Sequence, residues 1–354
     1  MTYLDYQAST PLAPEARAAM LPWLDELGSA NPHSPHAPGR AAKAAVEVAR
    51  EQVATLLPPG GRVIFTGSAT EALNLAIQGS NTRQVAVSAI EHAAVLDTAQ
   101  AVAQVSELPV YSDGLVDPDM LLPAGTQLVA VMQVNNEIGT IQQVARLAER
   151  AHQIGALFLC DAVQGAGKLA APFGADLIAL SAHKLHGPKG IGALWVRDGV
   201  ALSPLIHGGG QEGGLRSGTV SPALCAGFGA AAALAAEMRE QDAAHVAALW
   251  AAAREALSGW TLNGSADQRW LGNLNLRRDG LDVGRLISEC RQIAFSAGSA
   301  CASGSGRPSH VLRGIGLSDA QAKSSIRLGF GRYTSMDELV SACRAIDTAA
   351  RAQE

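Results

Sequence analysis

No stretch of this chain is strongly basic. Its 354 residues carry 27 Lys and Arg against 32 Asp and Glu, a net charge of −5 with a pI near 6.0. That balance argues against nucleic-acid binding driven by charge. Cysteine is sparse and scattered: Cys160, Cys225, Cys290, Cys301 and Cys343 are odd in number and show no CxxC spacing. A disulfide framework and a structural zinc site are both disfavoured, no metal is expected, and a reduced, cytoplasmic setting is the natural reading. The N-terminus has no basic stretch leading into an apolar one, so no secretory signal is read there. No apolar run reaches membrane-spanning length. Internal repeats and low-complexity tails are also missing.

What the chain does have is apolar content, 48% of its residues, enough for a large core. Its length suggests about two domains. Short apolar runs at 62–66, 84–88, 127–134, 156–160, 176–181 and 193–196 read as strands. Amphipathic stretches at 69–78, 93–105 and 144–153 read as the helices between them. That alternation predicts an α/β domain with a mostly parallel sheet covered on both faces. An Ala-rich helix over about 223–257 follows. Beyond residue 259 the rhythm changes. Strands are expected at 273–277, 294–296 and 325–329, and helices at 282–290, 319–323 and 336–351, as a smaller α+β unit. The prolines and glycines at 58–61 read as a helix stop and turn, and the glycine-rich stretches at 208–210 and 304–306 as loops.

The most telling residue is Lys184, just beyond the strand that ends near Ser181 and ahead of a glycine-rich turn. A cofactor site usually opens at that edge of an α/β sheet. A desolvated lysine there can form a Schiff base. Taken alone it would read as a surface-loop lysine. Its company changes that reading, because Thr70, His92, Asp161, Gln164, Ser181 and His183 occupy similar strand-end positions. The segment Gly67-Ser68-Ala69-Thr70 follows a strand and opens a helix, which makes an anion site of backbone N–H groups and hydroxyls, or a plain N-cap. Asp161 ends an apolar strand. A buried carboxylate there needs a cationic partner; the alternative is a helix cap. Arg327 is a charge inside an apolar strand and is suited to a bidentate carboxylate, or else lies on a wet edge strand. Cys301 sits among small residues and glycines, a setting that predicts an exposed, mobile loop. The other four cysteines read as small core hydrophobes.

The set Leu4-Asp5-Tyr6, Gly67-Ser68-Ala69-Thr70-Glu71, Glu91-His92, Val134-Asn135-Asn136-Glu137-Ile138-Gly139, Asp161 with Gln164, Ser181-Ala182-His183-Lys184, Arg216-Ser217-Gly218-Thr219 and Gly298-Ser299-Ala300-Cys301 resembles the cysteine desulfurases. These are pyridoxal-phosphate (PLP) enzymes of the class V aminotransferase group. The resemblance runs from about residue 3 to about residue 340. It implies a fold-type-I PLP-dependent transferase: a large domain over 13–243 built on a seven-stranded-type sheet, and a small domain of 1–12 and 244–354 carrying the catalytic cysteine loop.

The resemblance also implies roles. Lys184 would bind PLP covalently and move the substrate's α-proton. Asp161 would pair with the pyridine nitrogen, Gln164 would reach the phenolic oxygen, and His92 would stack on the ring and take part in proton transfer. Ala69, Thr70, Ser181 and His183 would hold the phosphate; where family members commonly have Ser-Gly, this chain has Gly67-Ser68. Asn136 would contact cofactor and substrate, Arg327 would anchor the substrate carboxylate, and Asn31 would lie on the substrate side. Thr219 would reach the phosphate bound by the other subunit of a homodimer. Cys301 would take sulfur from L-cysteine as a persulfide, release L-alanine, and pass the sulfur to an acceptor protein in iron–sulfur assembly or thiolation. A related class V aminotransferase, a selenocysteine lyase and a non-enzymatic scaffold share parts of this pattern. The chain ends soon after the 336–351 helix, where members that load iron–sulfur scaffolds often carry an extension, so the resemblance leaves the acceptor open. The spacing from Cys301 to Val311 resembles the long-loop branch.

Overall fold

The computed structural model describes residues 1–298 and 308–354. It opens with β1 (Thr2–Tyr3) and two helices, α1 (Pro14–Leu24) and α2 (Ala37–Ala54). Both helices start on a proline in the first turn, where the missing N–H costs nothing. There follow β2 (Gly61–Thr66), α3 (Ala69–Gly79), β3 (Gln84–Ser88), α4 (Ala93–Val102), β4 (Gln104–Leu108), β5 (Leu128–Ala130), α5 (Val144–Gln153), β6 (Leu157–Asp161), β7 (Leu177–Ser181) and β8 (Gly192–Arg197). These strands form one seven-stranded sheet in the order β2-β8-β7-β6-β5-β3-β4. All pairs are parallel except those of β8, which runs antiparallel to both β2 and β7.

The sheet is buried on both faces, and the strand period of two divides its side chains between them. Phe65, Phe158, Ile178 and Trp195 enter one core with α1, α2 and α5. Their neighbours Ile64, Leu159, Leu177 and Leu194 enter the other with α3 and α4. Helix α6 (Pro222–Ala256) runs for 35 residues, capped by Ser221, whose hydroxyl accepts from Leu224 N–H. At 1.5 Å per residue that is about 50 Å. Its first half, with Cys225 and Phe228, packs into the first core. Gly229 lets it lie close on α2, since a Cβ there would meet Ala49 Cα at 2.7 Å. Its last turns, with Val246, Leu249 and Ala253, enter a separate core.

That second core belongs to β9 (Thr261–Leu262), β10 (Asn273–Arg277), α7 (Val283–Glu289), β11 (Ile293–Ala294), β12 (Ser296–Ala297), β13 (Ser325–Gly329) and α10 (Met336–Arg351), while α8 (His310–Gly314) and α9 (Asp319–Lys323) form a smaller cluster with Ile90 and Ile138. Four of these strands form an antiparallel sheet, β12-β13-β10-β9, while β11 pairs in parallel with β1. Leu4 joins Leu274, Ile326, Leu328 and Ile346 there, so the first residues of the chain pack with the last. Among the described residues, no helix is long and apolar enough to cross a membrane.

Three expectations need correction. The helix read over 93–105 stops at Val102, and Gln104–Leu108 is a strand, paired in parallel with β3 as the sheet's edge. The short polar interruption around Gln104 carried no helix-stop signal. Helices α1 and α2 were not read at all; of their buried residues Ala16, Gly39, Ala42, Val46, Ala49 and Val53 only the valines are strongly apolar, which gives little periodic contrast. The strand read over 127–134 is assigned only at Leu128–Ala130. Its hydrogen bonding to β6 nevertheless continues, through Val131 N–H to Leu159 O at 3.1 Å and Gln133 N–H to Asp161 O at 2.9 Å.

The two cores meet at the loop 136–139. Its four carbonyls are all taken by donors from the second unit. Asn136 O accepts from Asn273 Nδ2 (3.3 Å) and Arg327 Nη1 (3.1 Å), and Glu137 O from Asn275 Nδ2 (3.0 Å). Ile138 O accepts from Arg269 Nη2 (3.0 Å), and Gly139 O from Trp270 N–H (2.8 Å). Arg269 also donates to Ser265 O at 2.7 Å and lies 5.9 Å from the centre of the Trp250 ring. Burial lowers its pKa to about 10, with Arg254 adding repulsion, so it stays cationic at neutral pH. Arg269→Met keeps the length and removes the donors, leaving buried carbonyls unpaired. The expected loss is about 3 kcal/mol, read as a lower urea midpoint. An unchanged midpoint would show that Arg269 does not hold this junction.

Candidate active site

A cavity of about 320 Å³ opens at the carboxyl ends of the parallel strands. It is lined by Ala69, Thr70, His92, Asn136, Asp161, Gln164, Ser181, His183, Lys184 and Arg327, all singled out in the sequence. Asn31 and Thr219 are exposed and do not line it. Cys301 lies outside the described residues. Cys160, Cys225, Cys290 and Cys343 are buried, and burial raises each thiol above its usual range, Cys225 and Cys343 to about 12. They are inert hydrophobes rather than nucleophiles.

At one end of the cavity is the N-terminus of α3. Ser68 caps it, its hydroxyl accepting from Glu71 N–H at 3.2 Å, while Glu71 accepts from Gly67 N–H at 2.7 Å. The N–H groups of Ala69 and Thr70 have no acceptor within the helix and carry its positive dipole end. Gly192 on β8 makes room, because a Cβ there would meet Ala69 N at 2.7 Å and Ser68 C at 2.5 Å. Nothing in the local sequence marks this glycine, because its requirement comes from Ser68 and Ala69, distant in the chain. His183 completes this end. Burial, with repulsion from Lys184, Lys189 and Lys168, lowers its pKa to about 4, so it is neutral at pH 7.

Asp161 ends β6 and faces the cavity. Its Oδ1 accepts from Val163 N–H at 3.0 Å. Burial raises its pKa, opposed by His92, by the Val163 hydrogen bond and by Lys184. A carboxylate in that position is stabilised by a cation placed in the cavity. His92 caps α4, with Nδ1 accepting from Ala94 N–H at 3.1 Å. That bond puts the ring proton on Nε2 in the neutral form. Lys184 Nζ donates to Gln7 O and, at 2.9 Å, to Ala8 O. Gln164 Nε2 donates to the same Gln7 carbonyl at 3.0 Å. The sequence reading missed Gln7 and Ala8, which act through their backbone and so leave no side-chain signal.

Arg327 is 1% exposed and lies in β13, between β12 and β10. The wet edge-strand reading is therefore wrong. One Nη donates to Asn136 O and the other to Asp5 Oδ1 at 2.8 Å. Its Nε is buried with no acceptor among the described residues. Arg327 lines the cavity, where its guanidinium is suited to an incoming carboxylate.

The residues present fit PLP. The α3 N-terminus with Ser181 and His183 suits its phosphate, Asp161 its ring nitrogen, His92 its ring face and Lys184 its aldehyde. When bound, the group supplies an electron sink for a carbanion beside an amino nitrogen.

The Aminotransferase class-V family model matches residues 2–341. Cysteine desulfurase IscS of Rickettsia bellii is 41% identical over 368 residues, covering 97% of this chain and 90% of the relative. Among solved structures, a NifS-like protein from Rickettsia africae superposes with a TM-score of 0.91 at 27% identity, covering 99% of each chain. SspA in complex with cysteine gives a TM-score of 0.83 at 34% identity, covering 95% of this chain and 100% of that one.

Beside His92, Glu91 is fully buried. Its Oε1 accepts from Ser88 Oγ (2.6 Å) and Met132 N–H (2.8 Å), while Oε2 has no partner among the described residues. Burial raises its pKa from 4.5 to about 8, and Asp161 adds to the rise. The folded state therefore favours the protonated acid. This contribution to stability is complete below pH 4.5 and is lost as pH rises through about 8. Glu91→Gln keeps the shape without the titration. The thermal midpoint of the variant should fall less than that of the parent between pH 5 and pH 8, a difference on the order of a few kcal/mol. Parallel profiles would sink this assignment.

Proposed function

The chain belongs to the class-V aminotransferase family, and from that premise we propose that the cavity around Lys184 converts L-cysteine to L-alanine, with Cys301 taking the sulfur. The chain is a PLP-dependent cysteine desulfurase. The observation that carries the proposed roles is that Lys184, the buried Asp161 and Arg327 all line one cavity.

In this reading Arg327 takes the substrate carboxylate and Asn136 fixes the loop beside it. Lys184 Nζ, released from the Gln7 and Ala8 carbonyls, accepts the α-proton and returns it on the other side of the reacting system. Asp161 would pair with the ring nitrogen of bound PLP, and His92 would cover the ring face. Cys301 Sγ, as the thiolate, attacks the substrate's sulfur. The S–S bond forms as the C–S bond breaks, its electrons remain with the carbon, and that carbon is protonated to give L-alanine. The enzyme keeps a persulfide whose outer sulfur goes to an acceptor protein, in iron–sulfur assembly or thiolation. The working division is a large unit over 13–243 and a small one of 1–12 with 244–354, and the compartment is the cytoplasm. The buried, reduced thiols of the described cysteines support that setting.

Two copies pair so that each completes the other's site. Arg216 binds Glu71 at 2.8 Å and so ties the 216–219 loop to the start of α3, yet Thr219 is exposed and outside its own cavity. Ile206, 42% exposed, bridges to Arg216 on the same surface. An exposed apolar patch beside a misplaced phosphate ligand is what a two-fold interface would explain. Asn31 falls on the same footing. Mixing Lys184→Ala with Thr219→Ala chains puts both defects in one site and none in the other. Activity well above either parent is expected; a mixture no better than its parents removes the composite site.

Cys301→Ser tests the chemistry. Serine is a poor nucleophile toward sulfur, so the variant should bind PLP and cysteine, yet lose persulfide and lower alanine release by about a hundredfold or more. Alanine production near the parent's rate would instead point to a lyase or aminotransferase without a sulfur-accepting cysteine.

A further inference from the structure

A second lysine stands behind the cavity. Lys168 does not line it, but its Nζ lies 3.4 Å from Gln164 Oε1 and 5.9 Å from the centre of the Trp270 ring. Gln164, 4% exposed, presents the other end of its amide, Nε2, to Gln7 O at 3.0 Å, and Lys184 Nζ donates to that same carbonyl. The four groups form a chain: Lys168, Gln164, the Gln7 carbonyl, Lys184.

An amide has a donor end and an acceptor end, and inside a protein its orientation is set by its partners. Turning the Gln164 amide over would set its NH₂ against the Lys168 amine and its oxygen against the Gln7 carbonyl. With Lys168 as the ammonium, both contacts would become like against like in a buried place, where an unpaired polar group is costly. We propose that Lys168 is a positioning residue for the cofactor: it fixes the Gln164 amide so that Nε2 is held as a donor toward the phenolic oxygen of the bound pyridoxal ring. This rests on the reading of Lys184 and Gln164 given above.

The lysine is not an ordinary surface cation. Burial and repulsion from Lys184 lower its pKa to about 7, and its aliphatic stem and the Trp270 ring border a small cavity of about 40 Å³. Tyr6, His186, Asp242 and Arg332 line that cavity from the far side, with Asp242 held by Arg332 at 2.6 Å. His183 and Lys184 face Lys168 from the near side, and both histidines are affected by its charge. The ammonium form has no lone pair with which to accept, so it is the form that fixes the Gln164 amide.

A donor on the phenolic oxygen, backed by a cation, favours the ionised oxygen and so eases loss of the proton from the nitrogen that joins Lys184 to the cofactor. Removing it should raise the pH at which the visible absorbance of the PLP-loaded protein changes. The test is that titration, read by absorbance without substrate. Lys168→Met and Lys168→Gln should each raise the transition by about one pH unit. Lys168→Arg, which keeps donor and charge, should restore it toward the parent value. Gln164→Met should give the same rise, and the double variant Lys168→Met with Gln164→Met should rise no further, because the two act as one unit. If Lys168→Met fails to fold, Lys168→Gln and Lys168→Arg decide. A transition unmoved in the folded Lys168 variants, or shifts that simply add in the double, overturns the proposal. A visible band retained in Lys184→Ala would overturn the underlying assignment of Lys184 and this proposal with it, a result distinct from an unmoved transition.

Discussion

The site exists because the loop 136–139 cannot satisfy its own carbonyls. It leaves the sheet next to Val134 with four acceptors that the strands no longer serve, and donors from Arg269, Trp270, Asn273, Asn275 and Arg327 take them all. Burying these carbonyls unpaired would cost more than a protein of ordinary stability can spare. The second unit is therefore held against the first at one place. Asn275 uses the same amide nitrogen to reach Gly298 O at 3.3 Å, and Ser309 Oγ donates to Glu137 Oε2 at 2.5 Å. The described residues on either side of 299–307 are thus tied to the loop that carries Asn136.

A second tie runs through the N-terminal segment. Carbonyls of Gln7 and Ala8 hold Lys184 across 177 and 176 positions of sequence, and the Gln7 side chain donates to Gly272 O at 2.8 Å. The first residues of the chain pack in the second core while their carbonyls reach into the first. Arg327 belongs to the same arrangement, with one Nη on Asn136 O and the other on Asp5. A shift of one unit against the other would move the lysine's acceptors and the arginine's partners together, which couples the positions of Lys184 and Arg327.

Much of this was legible in the sequence, for a physical reason. Asp161, Ser181 and Lys184 stand at the ends of apolar strands, and a polar residue directly after such a run marks the sheet's edge without any knowledge of the fold. Arg327 was legible as a charge within an apolar strand, although the sequence alone could not tell a wet edge from a buried one. What stayed hidden acts through backbone or through absence. Gln7 and Ala8 contribute carbonyls, Gly192 contributes only its missing Cβ, and Arg269 works on carbonyls far away in sequence. The edge strand Gln104–Leu108 was lost because it follows α4 after a single residue. Cys301, singled out by its setting among small residues, lies outside the described residues.

The charges at this edge can coexist only if they do not all ionise. Glu91, Asp161 and the Cys160 thiol lie at the carboxyl edge of the sheet, and burial raises all three. Asp161 alone has counter-charges at hand, in His92 and Lys184. Glu91 has two neutral donors on one oxygen and none on the other, so it takes the proton, with a pKa near 8. A neutral Glu91 removes the repulsion that would otherwise push Asp161 toward its own protonated form. Two buried carboxyls whose surroundings drive their titrations apart can divide the work. Here the division leaves Asp161 as the anion that a pyridinium nitrogen would need, and Glu91 as the neutral acid that ties the end of β3 to Met132. The raised pKa of both acids follows from placing them where water cannot reach, and a neutral Glu91 spares Asp161 a like charge.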